Sequence, residues 1–443
     1  MKRNADNATQ ISRRGFLGAG ASALAFTVVP HHVLGGPANA APSEKLILAG
    51  VGIGGMGKNY IDSVNSENIA FLCDVNDIQA EHTYKAYPKA KIYRDFRKML
   101  DEEKSIDGVV IGAPDHTHTV VAMKALGMGK HVYCAKPLTR TIHEARTLTE
   151  AAAKAGVATQ MSVQSDASED QRIVCEWIAD GAIGSVREVH VWSDRPIWPQ
   201  GLDRPKDTPP IPKGIDWDLW LGPAPHRPYH SAYVPFKWRG WCDFGTGALG
   251  DMGCHSLAHV FKALNLGPPE CVYASSTRPY KETFPAASIV NYEFPARGEK
   301  PAVKLTWYDG GLKPPRPDEL ENNRNLSSSG LIFTGDKGSM LCGFAAGDPK
   351  LLPESKMRDY KIPPKTLPRS VGHYKEWVEA CKGGKPAGCN FSFGGPLTEA
   401  VLLGNIALRT EGKLYWDAKS MLLTNSNEAN RYTQEPYRPG WTL

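Results

Sequence analysis

"KLILAGVGIGGMG", Lys45 to Gly57, is the stretch on which the fold turns. Its first half, "KLILAGV", is a continuous apolar run, the pattern of a strand buried on both faces. Its second half, Gly52-Ile53-Gly54-Gly55-Met56-Gly57, reads G-x-G-x-x-G. Alone that pattern is weak; after a strand and before a helix it is a dinucleotide-binding fingerprint. Gly52 makes the tight turn, Gly54 lets the backbone approach a pyrophosphate, and Gly57 permits close helix–sheet packing. The helix that follows turns unpaired N–H groups toward the phosphates, with Ile53, Gly55 and Met56 completing the loop.

Outward from the loop, strand and helix signals alternate. "IAFLCDV" reads as a second strand and "DIQAEHTYKAY" as a helix. "DGVVIGAP" and "HVYCAK" are further strands, separated by the helical "TVVAMKALGMG". "TIHEARTLTEAAAKAG" is a helix closed by Gly156, and "VATQMSV" ends the series. Such alternation predicts βαβ units in a parallel, doubly wound sheet, an α/β fold. The expected boundaries are 41–163 for this domain and 164–443 for a second. Asp74 ends the second strand. A carboxylate there bonds a ribose 2′-OH and repels a 2′-phosphate, which favours NAD over NADP; the other reading is a helix N-cap or turn residue.

The second half changes character. "SVREVHVWSD" alternates, and "CVYASST", "ASIVNYEF", "AVKLTWY" and "GLIFTG" follow with few helices between them, which predicts an α+β domain with an antiparallel or mixed open sheet. "PLTEAVLLGNIALRT" is a late helix, and 309–329 reads as a long loop.

The 443 residues are 41% apolar and 22% charged, ordinary for a globular chain. Net charge is +5, of which residues 1–40 carry +3 (Lys2, Arg3, Arg13 and Arg14 against Asp6). With no long basic run, nucleic acid is excluded as a partner class. The nine cysteines are irregularly spaced without C-x-x-C, so neither a disulfide framework nor a zinc site is signalled. Residues 1–40 read as an export signal: a basic start, the short apolar "GFLGAGASALAFTVV", and "ANA" before a cleavage point at Ala41. The apolar run is too short and too glycine-rich for a stable membrane span. "SRRGFL" resembles a twin-arginine (Tat) signal, whose machinery exports folded proteins, so the expected location is periplasmic or secreted.

Three motifs offer chemistry. "APDHTH" follows the fourth strand at the carboxyl end where ligands bind in such sheets. Pro114 and His118 are candidates for the nicotinamide side; capping or solvent exposure is the other reading for His118. Lys136-Pro137 follows the next strand, placing a cation at the cleft or simply on the surface. In "GALGDMGCHSLAH" a helix would put Asp251, His255 and His259 on one face. Metal ligation, acid–base work and a satisfied core histidine all remain open; without H-E-x-x-H or a further carboxylate, no metal is assigned. Trp192, Arg195, Trp198, Trp238, Arg239 and Trp241 are candidates for a carbohydrate platform, with burial of about half the tryptophans as the alternative. Gln164 and His259 complete the substrate candidates.

Together "GVGIGGMG", "CDV", "PDHTH", "CAKP" and "GALGDMGCH" resemble the Gfo/Idh/MocA family, which includes glucose–fructose oxidoreductase and inositol dehydrogenases. The tail "EGKLYWDAKSMLLTNSNEANRYTQEPYRPGW" is similar to a secreted subgroup common in Bacteroidetes and Planctomycetes. The resemblance implies a Rossmann domain joined to a domain with a large open, mostly antiparallel sheet, and an active site between them; it leaves a homo-oligomer open. The family's E-K-P lysine maps onto Lys136, with Ala135 in place of the glutamate. Its aspartate and histidine, four apart, map onto Asp251 and His255. The implied activity is oxidation of a secondary hydroxyl on a sugar, polyol or glycoside by tightly held NAD. Lys136 would hold the hydroxyl, His255 take its proton, and Asp251 orient the imidazole or bind a neighbouring hydroxyl. Redox-neutral glycoside cleavage through a keto-sugar is an alternative. A non-catalytic sugar- or nucleotide-binding protein is another, against which the retained Lys136, Asp251 and His255 argue.

Overall fold

The run after Lys45 forms β1 (Ile47–Val51) and the glycine turn leads into α1 (Met56–Ser63), as the fingerprint requires. The structure, a computed structural model, describes residues 44–443; the expected export segment lies outside them. Beyond α1 come β2 (Asn68–Cys73), α2 (Asp77–Ala86), β3 (Lys91–Tyr93), α3 (Phe96–Glu102), β4 (Gly108–Ile111), α4 (Asp115–Gly127), β5 (His131–Cys134), α5 (Ile142–Ala155) and β6 (Thr159–Met161). These strands pair in parallel in the order β3-β2-β1-β4-β5-β6, so the strand order reverses between β1 and β4 while all strands stay parallel. Ligands bind at the carboxyl ends beside such a switch point. β4 is buried along its whole length, which explains its unbroken "GVVI". α5 starts at a capping box between Thr141 and Glu144 and stops at Gly156, which adopts φ 65°. The three-residue β3 and α3 lack a legible periodicity and are found only in the structure.

The second sheet is built from β7 (Val186–Trp192), β8 (Cys271–Ser276), β9 (Ser288–Phe294), β10 (Val303–Tyr308), β11 (Gly330–Gly335), β12 (Gly338–Gly343), β13 (Lys350–Leu352), β14 (Leu414–Asp417) and β15 (Leu422–Leu423). Its order is β13-β12-β11-β7-β10-β9-β8-β14-β15, antiparallel except where β10 runs parallel to β7. β12 to β15 are short or glycine-flanked and escape the sequence reading. The helices of five or more residues in this half are α6 (Glu169–Ala179), the single-turn α7 (Trp217–Leu221), α8 (Gly247–Leu264), α9 (His373–Cys381) and α10 (Phe391–Ala407). α10 begins five residues before the expected Pro396, because Asn390 accepts a hydrogen bond from Ser392 N and caps the chain there.

Residues 46–443 form one compact unit, and the last fifth of the chain returns to the first sheet. α10 is apolar all round and lies between α5 and α8, buried on both sides. Trp377 of α9 is fully buried against Gly108, Leu48 and the Tyr133 ring. Trp441 stacks on the Arg97 guanidinium, 4.4 Å away, beside Phe96. All nine cysteines are free among the described residues.

Candidate active site

The glycine turn is held from below. Asp74 accepts hydrogen bonds from Ile53 N (2.8 Å) and Gly54 N (3.2 Å) on one oxygen, and from Asn76 N (2.9 Å) on the other. Burial raises its pKa while these N–H groups oppose the rise. The helix-cap reading of Asp74 fails: Asn76 caps α2. Gly52 sits at φ 71°, and a Cβ on it would lie 2.4 Å from Ala113 Cα. Gly57 is packed backbone to backbone against Gly52.

A cavity of about 540 Å³ opens over this turn, lined by Gly52, Gly54, Gly55, Met56, Asp74 and Pro114 among others. Two expected cofactor contacts lie elsewhere. The Ile53 side chain is buried in the core, so only its backbone serves the turn. His118 is fully buried, with its nitrogens 2.9 Å from Pro137 O and 2.8 Å from Ala113 O. It ties together the loops after β4 and β5, and burial lowers its pKa. The second domain roofs the cavity with Trp220, Phe236, Trp238 and Arg239, and the C-terminal Trp441 closes one side. Two bonds fasten this roof to the rim: Asp77 N to Gly214 O (3.0 Å) and Asp216 N to Val75 O (2.8 Å).

The residues present fit a dinucleotide. Gly55, the N-cap of α1, leaves the helix start without a side-chain cap, and a Cβ on Gly55 would meet nothing within 4 Å. This uncapped helix start beneath open space offers a cradle for a pyrophosphate, with Gly57 N already given to Gly54 O.

A second cavity of about 260 Å³ adjoins the first, sharing Met56, Gly112, Ala113, Phe236, Trp238 and Arg239. It gathers Lys136, Asp251, His255, Gln164, Arg195 and Trp198. Lys136 is no surface lysine: its Nζ donates to Asp251 Oδ1 at 2.6 Å, and Arg239 Nε donates to the same oxygen at 3.3 Å. Burial pushes the Asp251 pKa up, but these two charges outweigh it and lower it. The Asp251 carboxylate therefore serves two cations instead of orienting His255. Burial, reinforced by Lys136 and opposed by Asp251, pulls His255 down to about 3, so the imidazole is neutral.

Other candidates separate from the site. His259 lies one turn beyond His255, fully buried, bonded to Gln171 and 3.0 Å from Ser165 Oγ. It is a satisfied core histidine and lines neither of the two cavities. The metal reading of the Asp251–His255–His259 stripe fails because the side chains go to different partners; among the described residues no His/Cys/Asp/Glu group is placed to hold a metal. Trp192 and Trp241 are core, bonded to Ser327 O and Ala232 O, whereas Trp198 and Trp238 line the cavity. Arg239 lies 4.3 Å from the Trp238 ring and 4.5 Å from Phe236.

Two residues at the second cavity were missed. Asp115 lies inside "APDHTH", buried, accepting from Thr246 Oγ1 at 2.7 Å, with burial pushing its carboxyl to about 7. Tyr60 of α1 lies 3.1 Å from Ser162 Oγ, which also accepts from Lys136 N, and burial raises its phenol to about 12. The aspartate after Pro114 was a readable signal; Tyr60 carries none.

Comparison with known proteins gives the class. Residues 48–163 match the "Oxidoreductase family, NAD-binding Rossmann fold" and residues 193–270 its "C-terminal alpha/beta domain". Residues 48–163 are thus an NAD-binding Rossmann domain of the Gfo/Idh/MocA oxidoreductase type, followed by a segment similar to that family's C-terminal domain. Among curated relatives it is similar to inositol 2-dehydrogenase of Salmonella paratyphi B, 31% identical over 111 residues, 24% of this chain and 33% of that protein. It is also similar to glucose-6-phosphate 3-dehydrogenase of Bacillus subtilis, 22% identical over 32% of this chain and 40% of the relative. The matched part spans about a third of the first relative's length. Two solved structures share the fold. The WlbA dehydrogenase of Bordetella pertussis, in complex with NADH and UDP-GlcNAcA, covers 84% of this chain and 99% of its own at TM-score 0.59 and 17% identity. The aldose-aldose oxidoreductase of Caulobacter crescentus covers 84% and 99% at TM-score 0.55 and 16% identity.

Proposed function

We propose that the protein is an NAD-dependent oxidoreductase acting on a secondary hydroxyl of a sugar, polyol or glycoside. One observation carries the reading: Lys136, Asp251 and His255 face a cavity that adjoins the one over the glycine turn and shares Met56, Gly112 and Ala113 with it. The Asp74 carboxylate at the rim favours NAD over NADP. A bound nicotinamide would supply the hydride acceptor.

The chain's residues do the rest. The Lys136 ammonium has three N–H groups and gives one to Asp251, which leaves two for a substrate oxygen. Those donors hold the reacting hydroxyl and stabilise the negative charge that develops on it. His255, kept neutral, takes the hydroxyl proton on an imidazole nitrogen. Remaining lone pairs of Asp251 receive a neighbouring hydroxyl. Trp198 and Trp238 offer apolar faces to the sugar's C–H groups.

The roof over the cofactor cavity favours a nucleotide retained through turnover. That suits export by the Tat pathway to the periplasm or beyond, where free NAD is scarce and a folded protein carries its cofactor out. The same retention supports a second reading, redox-neutral cleavage of a glycoside through a keto-sugar. Purified protein, with no nucleotide added, should release NAD on denaturation. It should reduce that NAD with a polyol or aldose, or liberate nitrophenol from nitrophenyl glycosides if the second reading holds. Inertness in both assays with NAD present would end the enzyme reading.

A further inference from the structure

The smaller cavity carries an imbalance of charge. Lys136, Arg195 and Arg239 face it, against two carboxyls, Asp115 and Asp251. Lys136 and Arg239 share one oxygen of Asp251. Asp115 sits in a buried niche with its pKa pushed to about 7, so near neutral pH it supplies only part of a negative charge. His255 adds no anion. Arg195 pairs with Asp194, whose side chain is 44% exposed and stands outside the cavity lining. A water-exposed partner of that kind contributes little and yields to a better one. Low-dielectric walls of Trp198 and Trp238 strengthen the field of whatever charge remains.

A neutral sugar leaves this positive surplus uncompensated, whereas a carboxylate matches a guanidinium with two parallel hydrogen bonds. We propose that the substrate is an acidic sugar, a uronic or aldonic acid or a glycoside carrying one, whose carboxylate is bound by Arg195 while its reacting hydroxyl meets Lys136 and His255. This assignment rests on the oxidoreductase reading for the location of the site and adds the substrate class.

Binding is the test, read by tryptophan fluorescence on the purified full-length protein in low salt. The probes are D-glucuronate, D-galacturonate and D-gluconate against the uncharged methyl esters of the uronates and the parent hexoses. At least one acid should bind about 10- to 100-fold tighter than its uncharged counterpart, the range of one charge-assisted hydrogen bond. The ratio should fall close to one in Arg195→Ala and be partly kept in Arg195→Lys; Arg195→Gln serves if the alanine variant does not fold. Acids binding no better than their uncharged counterparts, or a preference that survives loss of Arg195, overturns the proposal. NAD reduction by neutral sugars without acid selectivity would sink this assignment alone. Tight acid binding with no redox turnover on any sugar would instead sink the oxidoreductase reading.

Discussion

Replacing Gly57 by alanine tests whether the nucleotide cradle depends on backbone-to-backbone packing. The added Cβ would lie 1.8 Å from Gly52 O and 2.9 Å from the Gly52 carbonyl carbon, with Gly112 Cα at 3.5 Å. Carbon–oxygen contacts settle near about 3.3 Å, so α1 must retreat from β1 by about 1.5 Å. Every obstacle is main chain, and none can swing aside as a side-chain tip would. Overpacking costs about 1–3 kcal/mol where the surroundings can yield, and this site belongs at the upper end. The retreat also carries Gly55 and Met56 away from the cavity they line. A nucleotide loss of about 1.4 kcal/mol is tenfold in affinity, and the expected drop is at least that. Gly127→Ala is the control: it lies exposed at the end of α4, with nothing within 4 Å of an added methyl. That variant should gain about 0.5–1 kcal/mol from helix propensity and a less flexible unfolded chain. Thermal unfolding and NAD titration, with bound nucleotide stripped beforehand, read both. A Gly57→Ala protein that melts and binds NAD like the parent would refute the close-contact argument.

Three other outcomes follow from the site. His255→Ala should lose about 10²- to 10⁴-fold in turnover while keeping its NAD; full activity would remove the imidazole from the mechanism. Lys136→Met should lower kcat/KM by about 10²- to 10³-fold, and the Asp251 carboxyl, relieved of one of the charges that lower it, should titrate at higher pH in the rate profile. Asp115→Asn should alter the pH dependence of stability. The folded state holds a proton on Asp115 up to about pH 7, whereas the ordinary value is 3.8. Between those values the native protein binds more protons than the unfolded chain, so this group's contribution falls as pH rises, by about 1.4 kcal/mol per unit. The asparagine variant should therefore gain on the parent in denaturant melts between pH 5 and pH 7, and hold that gain above; an unchanged difference across the range would refute the assignment.

The glycine fingerprint, the buried strands and the capped helices were legible because each depends on neighbours a few residues away. "GVVI" has no polar side to turn outward, and Gly52 stands where φ is positive. Lys136, Asp251 and His255 were found by their places after a strand and along a helix, and the structure brings them to one cavity. His118 and His259 looked equally chemical in sequence, yet both sit in the core. Nothing local distinguishes an imidazole facing a cleft from one facing carbonyl or hydroxyl oxygens.

The order of apolar, glycine and charged residues alone determined a parallel nucleotide domain followed by an α+β domain with an antiparallel or mixed sheet. Only the tertiary structure decided which carboxylate meets which cation: Lys136 reaches Asp251 across 115 residues, and Arg239 takes the same oxygen. It also returned Trp441 from the end of the chain to the side of the cofactor cavity. The physical reason is range. Backbone preference and hydrophobic period act within a turn or a strand, whereas a site is made where distant segments come together and exclude water.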